Sequence, residues 1–276
     1  MPTETHYSRI LLTGASGYLG TVLRPALRAL APNVRLTDVT PLKDGPVDGE
    51  EYVKADLADP AQMHEAMRGV DAVVHLGGVS VEAPWEPVLQ ANIVGTYNLF
   101  EAARQAGVRR IVYASSHHAV GYYRRERHIG ADEPVRPDSR YGVSKVFGEA
   151  LGRMYADKYG MSVVAQRIGV ARPEPPHPRG LLTWVSERDY VQLTERCLLA
   201  PEIHYLVVYG VSDNDGALWD NEGARAIGYA PQDNGARFAD KVLAATPAEN
   251  EPALERPFHG GWFCAMEFTG DPARID

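Results

Sequence analysis

The chain has 276 residues, of which 45% are hydrophobic and 23% charged, as is ordinary for a globular enzyme with a sizeable core. Its formal net charge of −8 argues against a nucleic-acid-binding or anionic-membrane-binding surface. Cys197 and Cys264 lack metal-ligand spacing, so we expect no structural metal. Met1–Arg9 is not typical of a signal peptide, and no apolar run reaches the roughly 18–20 residues of a membrane helix. We therefore expect a cytoplasmic protein with no membrane partner and no nucleic-acid partner.

The first predicted strand, Arg9–Thr13, runs into a glycine turn and then into a predicted helix, Thr21–Leu30. Gly14 permits a tight turn, Gly17 lets backbone N–H groups approach a pyrophosphate, and Gly20 allows close packing of helix on strand. The spacing is GxxGxxG. We predict a dinucleotide-binding turn, with a purely structural turn as the alternative.

Asp38 ends the second predicted strand, Val34–Thr37, about 18 residues past the last glycine of the turn. An acid there can accept hydrogen bonds from both hydroxyls of the adenosine ribose, and it repels a 2′-phosphate. Asp38 therefore favours NAD over NADP. The alternative is an ordinary turn residue at a strand end.

Two further predicted strands, Tyr52–Ala55 and Ala72–Leu76, end in segments that suit a bound ligand. Asp56–Leu57 is placed to meet the adenine, and Gly77–Gly78 lets the backbone come close to the cofactor. His75 lies within its strand and is expected to be a core histidine.

Asn92 lies in a long predicted helix, Trp85–Gln105, and is polar among apolar neighbours. A buried amide needs hydrogen-bond partners. We favour a role in relaying protons or holding a water near Lys145, with a packing role as the alternative.

Tyr141 and Lys145 lie four residues apart in a predicted helix, Ser139–Tyr159, and therefore share one face. A free tyrosine has a pKa of about 10, and a cation beside it favours the phenolate. Ser116 follows the predicted strand Arg110–Ala114 and can hydrogen-bond the oxygen whose proton the tyrosine takes. The three side chains predict proton transfer at an alcohol while a hydride is exchanged at its carbon.

His117 and His118 follow Ser116 directly. A double histidine suggests a metal site, but no Asp, Glu or Cys accompanies it at ligand spacing. We predict no metal.

A sixth predicted strand, Ser162–Arg167, continues the alternation of strands and helices typical of an α/β fold with a doubly wound parallel sheet, the Rossmann fold. Ligands of such sheets lie beyond the carboxyl ends of the strands. Five predicted site residues follow strand ends: Gly14, Asp38, Asp56, Gly77 and Ser116. We predict a Rossmann core at residues 1–170 and a small substrate lobe at 171–276, packed together as one structural unit.

The lobe begins with a proline-rich segment, Pro173–Arg179, predicted to be neither helix nor central strand. A helix at Glu187–Leu199 and a strand at Ile203–Tyr209 follow, and beyond Ala236 the pattern is weak. Arg179 carries a planar fork that suits a carboxylate. The alternative is an exposed loop arginine.

Together these motifs resemble the extended short-chain dehydrogenase/reductase family. The resemblance is carried by GASGYLG, Asp38, Asp56–Leu57, Ser115–Ser116 and the Tyr141–Lys145 pair. Within that family, segments such as YGVSKVFGEALGRMYADKYG and WDNEGARAIGYAPQDNGARF are similar to the NAD-dependent uronate dehydrogenases, and this similarity extends over nearly the whole chain.

The resemblance implies oxidation of the C1 hydroxyl of a cyclic hexuronate, glucuronate or galacturonate, to the aldaro-lactone, by a homo-oligomer that uses NAD. The implied catalytic residues are Tyr141 as base, Lys145 as its tuner and nicotinamide-ribose ligand, Ser116 and Asn92. The implied substrate contacts are Ser80, Ser116, His117, His118, Tyr141 and, for the carboxylate, Arg179. The cofactor contacts are Gly14, Ser16, Gly17, Tyr18, Leu19, Gly20, Asp38, Asp56, Leu57, Leu76, Gly77, Gly78, Asn92, Tyr141, Lys145 and Ile168.

The chain departs from the family pattern at two positions. The family has Asn where this chain has His117, and Ser where it has Val170. His117 is larger and can titrate, and Val170 removes a hydroxyl that could bond the sugar. The rival functions are another sugar dehydrogenase, a nucleotide-sugar epimerase or reductase, and a dinucleotide-sensing regulator.

Overall fold

A computed structural model of the chain describes residues 6–247 and 250–275. The chain divides into two compact units that alternate along the sequence. Unit 1 comprises Met1–Ala114, Phe147–Ala165 and Thr194–Leu206, and unit 2 comprises Ser115–Val146, Gln166–Leu193 and Val207–Asp276. The division expected from the sequence, 1–170 and 171–276, has a single boundary, whereas the chain passes between these units five times.

The strands are β1 (Arg9–Thr13), β2 (Asn33–Asp38), β3 (Glu50–Lys54), β4 (Ala72–His75), β5 (Arg110–Ser116), β6 (Ser162–Ile168), β7 (Val170–Ala171), β8 (Trp184–Val185) and β9 (Tyr205–Gly210). Seven of them form one sheet in the order β3-β2-β1-β4-β5-β6-β9. The strands β1 to β5 pair in parallel. The predicted doubly wound α/β fold is confirmed, with the strand order reversing between β1 and β4.

The helices are α1 (Tyr18–Leu30), α2 (Pro60–Ala66), α3 (Trp85–Val88), α4 (Gly95–Ala106), α5 (Arg140–Tyr159), α6 (Pro178–Thr183), α7 (Glu187–Leu199), α8 (Glu222–Ala226), α9 (Ala239–Ala245) and α10 (Trp262–Ala265). None of the helices in the described part of the chain is long and apolar enough to cross a membrane.

The centre of unit 1 is made of strands that are apolar along their whole length. Ile10, Leu11 and Leu12 of β1 are completely buried, as are Val73 and Val74 of β4. Because parallel strands are covered on both faces, they read as continuous apolar runs with no alternation. This packing fixes the carboxyl ends of β1 and β4 side by side, with Thr13 paired to His75.

The long predicted helix at Trp85–Gln105 is continuous but not uniform. A π-helical segment, Leu89–Val94, joins α3 to α4 and contains Asn92. Gly95 begins α4 against Leu57, and a Cβ at Gly95 would lie 2.6 Å from the Cβ of Leu57. Such π segments are frequently found at functional sites.

Unit 2 has its own core, a cluster of aromatic and aliphatic side chains. Its buried members are Val120, Tyr123, Ile129, Tyr209, Val211, Leu218 and Trp219. Trp219 and Tyr209 stack with ring centroids 5.0 Å apart and planes at 6°. Four of these seven buried residues lie in β9 or in the segment that follows it, from Tyr209 to Trp219.

Candidate active site

The glycine turn of unit 1 forms a backbone cradle at the end of β1. Gly14 has φ +68°, and a Cβ there would lie 2.8 Å from the backbone N of Gly77. A Cβ at Gly20 would lie 2.3 Å from the Gly14 carbonyl oxygen. Gly17 precedes α1 and has no side chain to cap it, so the positive end of the helix is left to an external anion. The geometry fits a dinucleotide pyrophosphate.

Asp38 ties the end of β2 to this turn. Its Oδ2 accepts a hydrogen bond from the Ser16 N–H at 3.1 Å, and its Oδ1 accepts one from the Thr40 N–H at 3.0 Å. The carboxylate is half-buried. Each oxygen keeps a further lone pair, so the turn-forming role and a ribose-binding role are compatible.

The other predicted cofactor contacts of unit 1 follow β3 and β4. The Leu57 side chain packs on Gly77, where an added Cβ would come within 2.9 Å of it. Asp56 is exposed and accepts a hydrogen bond from the Ala58 N–H at 2.9 Å. Gly77 donates to the Thr13 hydroxyl at 3.0 Å. Leu76 and Gly78 after β4, and Tyr18 and Leu19 after β1, are exposed or half-buried, and so is Ser80, which was predicted to contact the substrate.

Asn92 is buried and bonds the loop after β4. Its Oδ1 accepts from the Val79 N–H at 2.8 Å, and its Nδ2 donates to the Val79 carbonyl at 2.9 Å. A Cβ at Gly78 would lie 2.5 Å from the Asn92 Oδ1. These contacts agree with the alternative interpretation of Asn92 from the sequence, in which the residue has a packing role. The catalytic role stays a prediction.

Unit 2 gathers six of the predicted catalytic and substrate residues in buried positions. The exposed fraction is between 3% and 7% for each of Ser116, His117, His118, Tyr141, Lys145 and Arg179. Three different segments supply them: the end of β5 with the 3-10 turn that follows it, the first turns of α5, and α6. The chemistry of these six side chains depends on their pKa values, which burial shifts, and on their hydrogen-bond partners.

Tyr141 is hydrogen-bonded to Ser116, and the Lys145 ammonium lies 5.4 Å from the centre of the Tyr141 ring. The pKa of Tyr141 is shifted in the direction opposite to the one expected from a neighbouring Lys145. Burial raises the pKa of Tyr141 to about 12, against the lowering effect of the Ser116 bond. Burial also lowers the pKa of Lys145 to about 8. A buried site disfavours the charged form of each group, the phenolate of Tyr141 and the ammonium of Lys145.

Arg179 lies in a helix, which corrects the predicted loop. Pro178 is the first residue of α6, where proline has no N–H to leave unbonded and its φ suits a helix. The His177 side chain caps this helix by accepting from the Gly180 N–H at 2.9 Å. The short helix carries Arg179 into the interior, where only 5% of the residue is exposed.

The Arg179 guanidinium is held by neutral groups. Its Nη1 donates to His117 Nε2 at 3.1 Å and to the His259 carbonyl at 3.0 Å. Gly261, with φ +60°, makes room for it, since a Cβ there would lie 2.4 Å from Arg179 Nε. Burial lowers the pKa of Arg179 to about 10. Across residues 6–247 and 250–275, no carboxylate forms an ion pair with Arg179.

His117 is held as a neutral acceptor. Its Nδ1 lies 3.0 Å from the Ile168 carbonyl, to which it must donate, so Nε2 accepts from Arg179. Burial, with His118 and Arg179 nearby, lowers the pKa of His117 well below its usual value. The expectation that His117 titrates is therefore wrong, because a proton on Nε2 would face a guanidinium. Ile168 contributes its carbonyl oxygen here, and Val170 is half-buried in β7.

Two residues of this cluster were not predicted from the sequence. Asp138 Oδ2 lies 2.6 Å from His118 Nδ1, and the Phe263 ring stacks on the His118 ring at 3.9 Å and 15°. Asp138 precedes α5 in a Pro-Asp-Ser run, which is also an ordinary helix-start signal. Phe263 lies in the region of weak pattern. Three of the four ring nitrogens of His117 and His118 are bonded to protein groups, which argues against the metal alternative.

Two other histidines of unit 2, the buried His259 and the half-buried His177, predict a loss of stability in acid. His177 Nδ1 accepts from Gly180 N–H, and His259 Nδ1 accepts from the Trp219 indole N–H at 3.1 Å. Burial lowers the pKa of both to about 4. The unfolded chain takes up these protons near pH 6.5, so stability is full above that pH and falls as the pH drops toward 4, by at most about 1.4 kcal/mol per pH unit for each histidine.

Urea denaturation at pH 7.5, 6.5, 5.5 and 4.5 measures this loss. His177→Asn keeps a capping acceptor but cannot titrate, so its midpoint should depend less steeply on pH between 6.5 and 4.5. Equal slopes for the variant and the parent chain would contradict the role of His177.

The sequence profile of the NAD dependent epimerase/dehydratase family matches residues 10–188. The uronate dehydrogenase of Pseudomonas syringae pv. tomato is 45% identical over 270 residues, covering 98% of each chain. The crystal structure of a variant uronate dehydrogenase from Agrobacterium tumefaciens, complexed with NAD, is 45% identical with a TM-score of 0.89 over 94% of this chain and 97% of that one. The glucuronic acid dehydrogenase of Chromohalobacter salexigens is 41% identical with a TM-score of 0.90, over 97% and 99%. The chain belongs to the NAD dependent epimerase/dehydratase family, the extended short-chain dehydrogenases/reductases that its glycine turn and Tyr141–Lys145 pair indicate.

Proposed function

We propose that this protein is an NAD-dependent uronate dehydrogenase, which oxidises the C1 hydroxyl of a cyclic hexuronate to the aldaro-lactone. The observation that carries the proposal is the state of Arg179. A buried guanidinium that no carboxylate contacts directly is costly and is expected where an anionic ligand completes it. The relatives with matching length are named for uronate or glucuronic acid as substrate.

The neutral partners of Arg179 support a substrate role. His117 and the His259 carbonyl both bond Nη1, which fixes the plane of the guanidinium without neutralising its charge. A carboxylate reaching this fork would gain charge-assisted hydrogen bonds in a buried setting. A neutral sugar would gain much less. The site is therefore suited to an acid.

Tyr141, Ser116 and Lys145 are suited to move the proton of the C1 hydroxyl. Ser116 holds the phenol oxygen of Tyr141 by a hydrogen bond, and the same hydroxyl can anchor the substrate oxygen. Tyr141 takes the hydroxyl proton as the C1–H bond is broken. Burial lowers the pKa of Lys145 to about 8, so part of the population is the neutral amine, which would accept the phenol proton of Tyr141 and pass it on to water, leaving the phenolate that takes the hydroxyl proton.

NAD would be held in unit 1 by the glycine turn, Asp38 and the Gly77–Gly78 segment. When bound, it supplies the hydride acceptor for the C1–H bond. The close approach of Gly14 to Gly77 and the uncapped start of α1 fit the pyrophosphate, as described above. The Asp38 carboxylate favours a ribose with two hydroxyls over a 2′-phosphate.

Asp38→Ala should reduce kcat/KM with NAD about tenfold to a hundredfold. It should also bring the values of kcat/KM for NAD and NADP closer together. The reason is the loss of two ribose hydrogen bonds together with the charge that repels a 2′-phosphate. Initial rates with both cofactors measure this. Asp38→Asn serves as the control, since it retains an acceptor for the Ser16 N–H but removes the charge. An unchanged NADP rate in both variants would contradict the role of Asp38.

The function itself is tested by NADH formation at 340 nm with glucuronate, galacturonate, glucose, galactose and glucose 6-phosphate. We expect turnover of the two uronates with NAD. Turnover of glucose 6-phosphate alone would mean that the buried guanidinium binds a phosphate. Turnover of neutral sugars alone would retain the proton transfer and refute the acid-binding role of Arg179. Absence of turnover with all five would overturn the proposal.

We further propose that the enzyme acts in the cytoplasm as a homo-oligomer. Both cysteines, Cys197 and Cys264, are buried thiols, as expected in a reducing compartment. Unit 1 exposes about half of the Trp85 and Tyr97 side chains, at 48% and 49%. Light scattering coupled to size-exclusion chromatography tests the oligomeric state, and a mass of 30.3 kDa would refute it.

A further inference from the structure

The Asp138 carboxylate is one of the most enclosed charged groups of unit 2. Its side chain is not exposed at all. Oδ2 lies 2.6 Å from His118 Nδ1, and Oδ1 accepts from the Ser139 hydroxyl at 2.7 Å. The Cys264 thiol lies 3.9 Å from Oδ2. A buried carboxylate of this kind is costly to maintain unless its partners hold it, so its placement calls for a reason.

Three glycines from three separate segments make the space for this carboxylate. A Cβ at Gly121 would lie 1.8 Å from Asp138 Oδ2, and one at Gly260 would lie 1.9 Å from the same atom. A Cβ at Gly142 would lie 2.5 Å from the His118 carbonyl oxygen and 3.2 Å from Asp138 Oδ1. None of the three has a positive φ, so the backbone conformation does not demand glycine there. At Gly121 and Gly260 the demand comes from the carboxylate, and at Gly142 it comes first from the His118 carbonyl.

The Asp138 carboxylate fixes the protonation pattern of the His118 ring. An ionised carboxylate can only accept, so His118 Nδ1 must carry the proton that it donates to Asp138. Nε2 is then left with a lone pair, and no residue within 6–247 or 250–275 bonds it. Phe263 stacks on the ring at 3.9 Å, and the Tyr141 ring meets it edge-on at 5.8 Å. The ring is fixed in both orientation and tautomer beside Tyr141.

We propose that Asp138 is a positioning residue that holds His118 as a hydrogen-bond acceptor for a sugar hydroxyl next to the one deprotonated by Tyr141. His118 Nε2 then accepts from that hydroxyl and orients the sugar ring. Loss of the group that orients a metal-binding histidine commonly costs about 10–100-fold in affinity or activity, and we expect a loss of similar size here. The sugar hydroxyl rests on the proposed function, whereas the tautomer does not.

The direct test is ¹⁵N NMR of histidine-labelled protein, in which the two ring nitrogens of each tautomer have distinct shifts. The signals of His118 are identified among those of the nine histidines by their loss in His118→Gln. We expect the Nδ1–H tautomer in the parent chain. The Nε2–H tautomer would overturn the proposal, and this measurement requires no variant of Asp138 to fold and no substrate to be turned over.

Asp138→Asn is the kinetic test, because its amide can donate to Nδ1 and so reverse the tautomer. We expect the Nε2–H form and a fall in kcat/KM of about 10–100-fold, with NAD affinity unchanged. Ser139→Ala is the matched control, since it removes the hydrogen bond to Asp138 Oδ1 and leaves the His118 contact with Oδ2 intact. It should keep the tautomer and most of the activity. An equal loss in both variants would mean that Asp138 only stabilises the start of α5.

Discussion

Tyr141→Phe should lower kcat by at least about 10³-fold and leave NAD affinity nearly unchanged. General acid–base catalysis by a positioned side chain contributes about 10²–10⁴-fold, and the phenol is the group placed to take the proton. The substitution keeps the ring that packs against Lys145 and Phe263. Steady-state rates with glucuronate and NAD titration by calorimetry measure the two quantities separately.

A matched control for Tyr141→Phe is Tyr123→Phe, also in unit 2. Tyr123 is 2% exposed, and its hydroxyl donates to the Pro134 carbonyl at 2.9 Å. Each substitution removes one buried hydrogen bond, which costs about 1 kcal/mol of stability. Only Tyr141→Phe should lower kcat. A comparable fall in kcat for both variants would show that the loss reflects the fold of unit 2, and retained turnover in Tyr141→Phe would refute the assigned base.

Arg179→Met should raise KM for glucuronate about 100-fold or more, while KM for glucose changes little. The variant fills a similar volume but removes the charge-assisted hydrogen bonds to a carboxylate. Burial lowers the pKa of Arg179 to about 10, so its charge already opposes folding. The variant should therefore unfold at the same or a higher urea concentration than the parent chain.

The control for this behaviour is Arg125→Met. Arg125 forms a bidentate pair with Glu251, with Nη1 to Oε2 at 2.7 Å and Nη2 to Oε1 at 2.5 Å. Removing one partner of a part-buried pair leaves a carboxylate uncompensated, so this variant should lower the urea midpoint. A lower urea midpoint in Arg125→Met and an equal or higher one in Arg179→Met would distinguish a structural arginine from one that binds a ligand. An equal rise in KM for acid and neutral sugar in Arg179→Met would show that Arg179 is structural.

Much of unit 1 could be predicted because its signals are local. The glycine turn, the apolar strands and the acid at the end of β2 depend on residues close in sequence and on the rule that ligands sit at the carboxyl ends of parallel strands. The strand predicted at Tyr52–Ala55 is observed at Glu50–Lys54, and the strand predicted at Ile203–Tyr209 is observed at Tyr205–Gly210. The ends of both strands differ from the predicted ends by one or two residues. The face shared by Tyr141 and Lys145 follows equally from helix geometry.

Proline position limited the prediction for α6. A run of prolines excludes helix interiors, but it does not exclude a helix whose first residue is proline. Once Pro178 begins a helix, Arg179 is carried into the interior. The sequence left open an exposed loop arginine, and the tertiary structure decides for a buried one.

The sequence by itself determined the fold class and the position of the glycine turn, and it predicted the proton-transfer residues, since these follow from spacing and strand ends. Only the tertiary structure decided their chemistry. Burial reverses the expected pKa of Tyr141, and His118 finds Asp138 20 positions away, while Arg179 finds His117 62 positions away. Desolvation and hydrogen-bond partners depend on which distant segments pack together, and no local pattern encodes that packing.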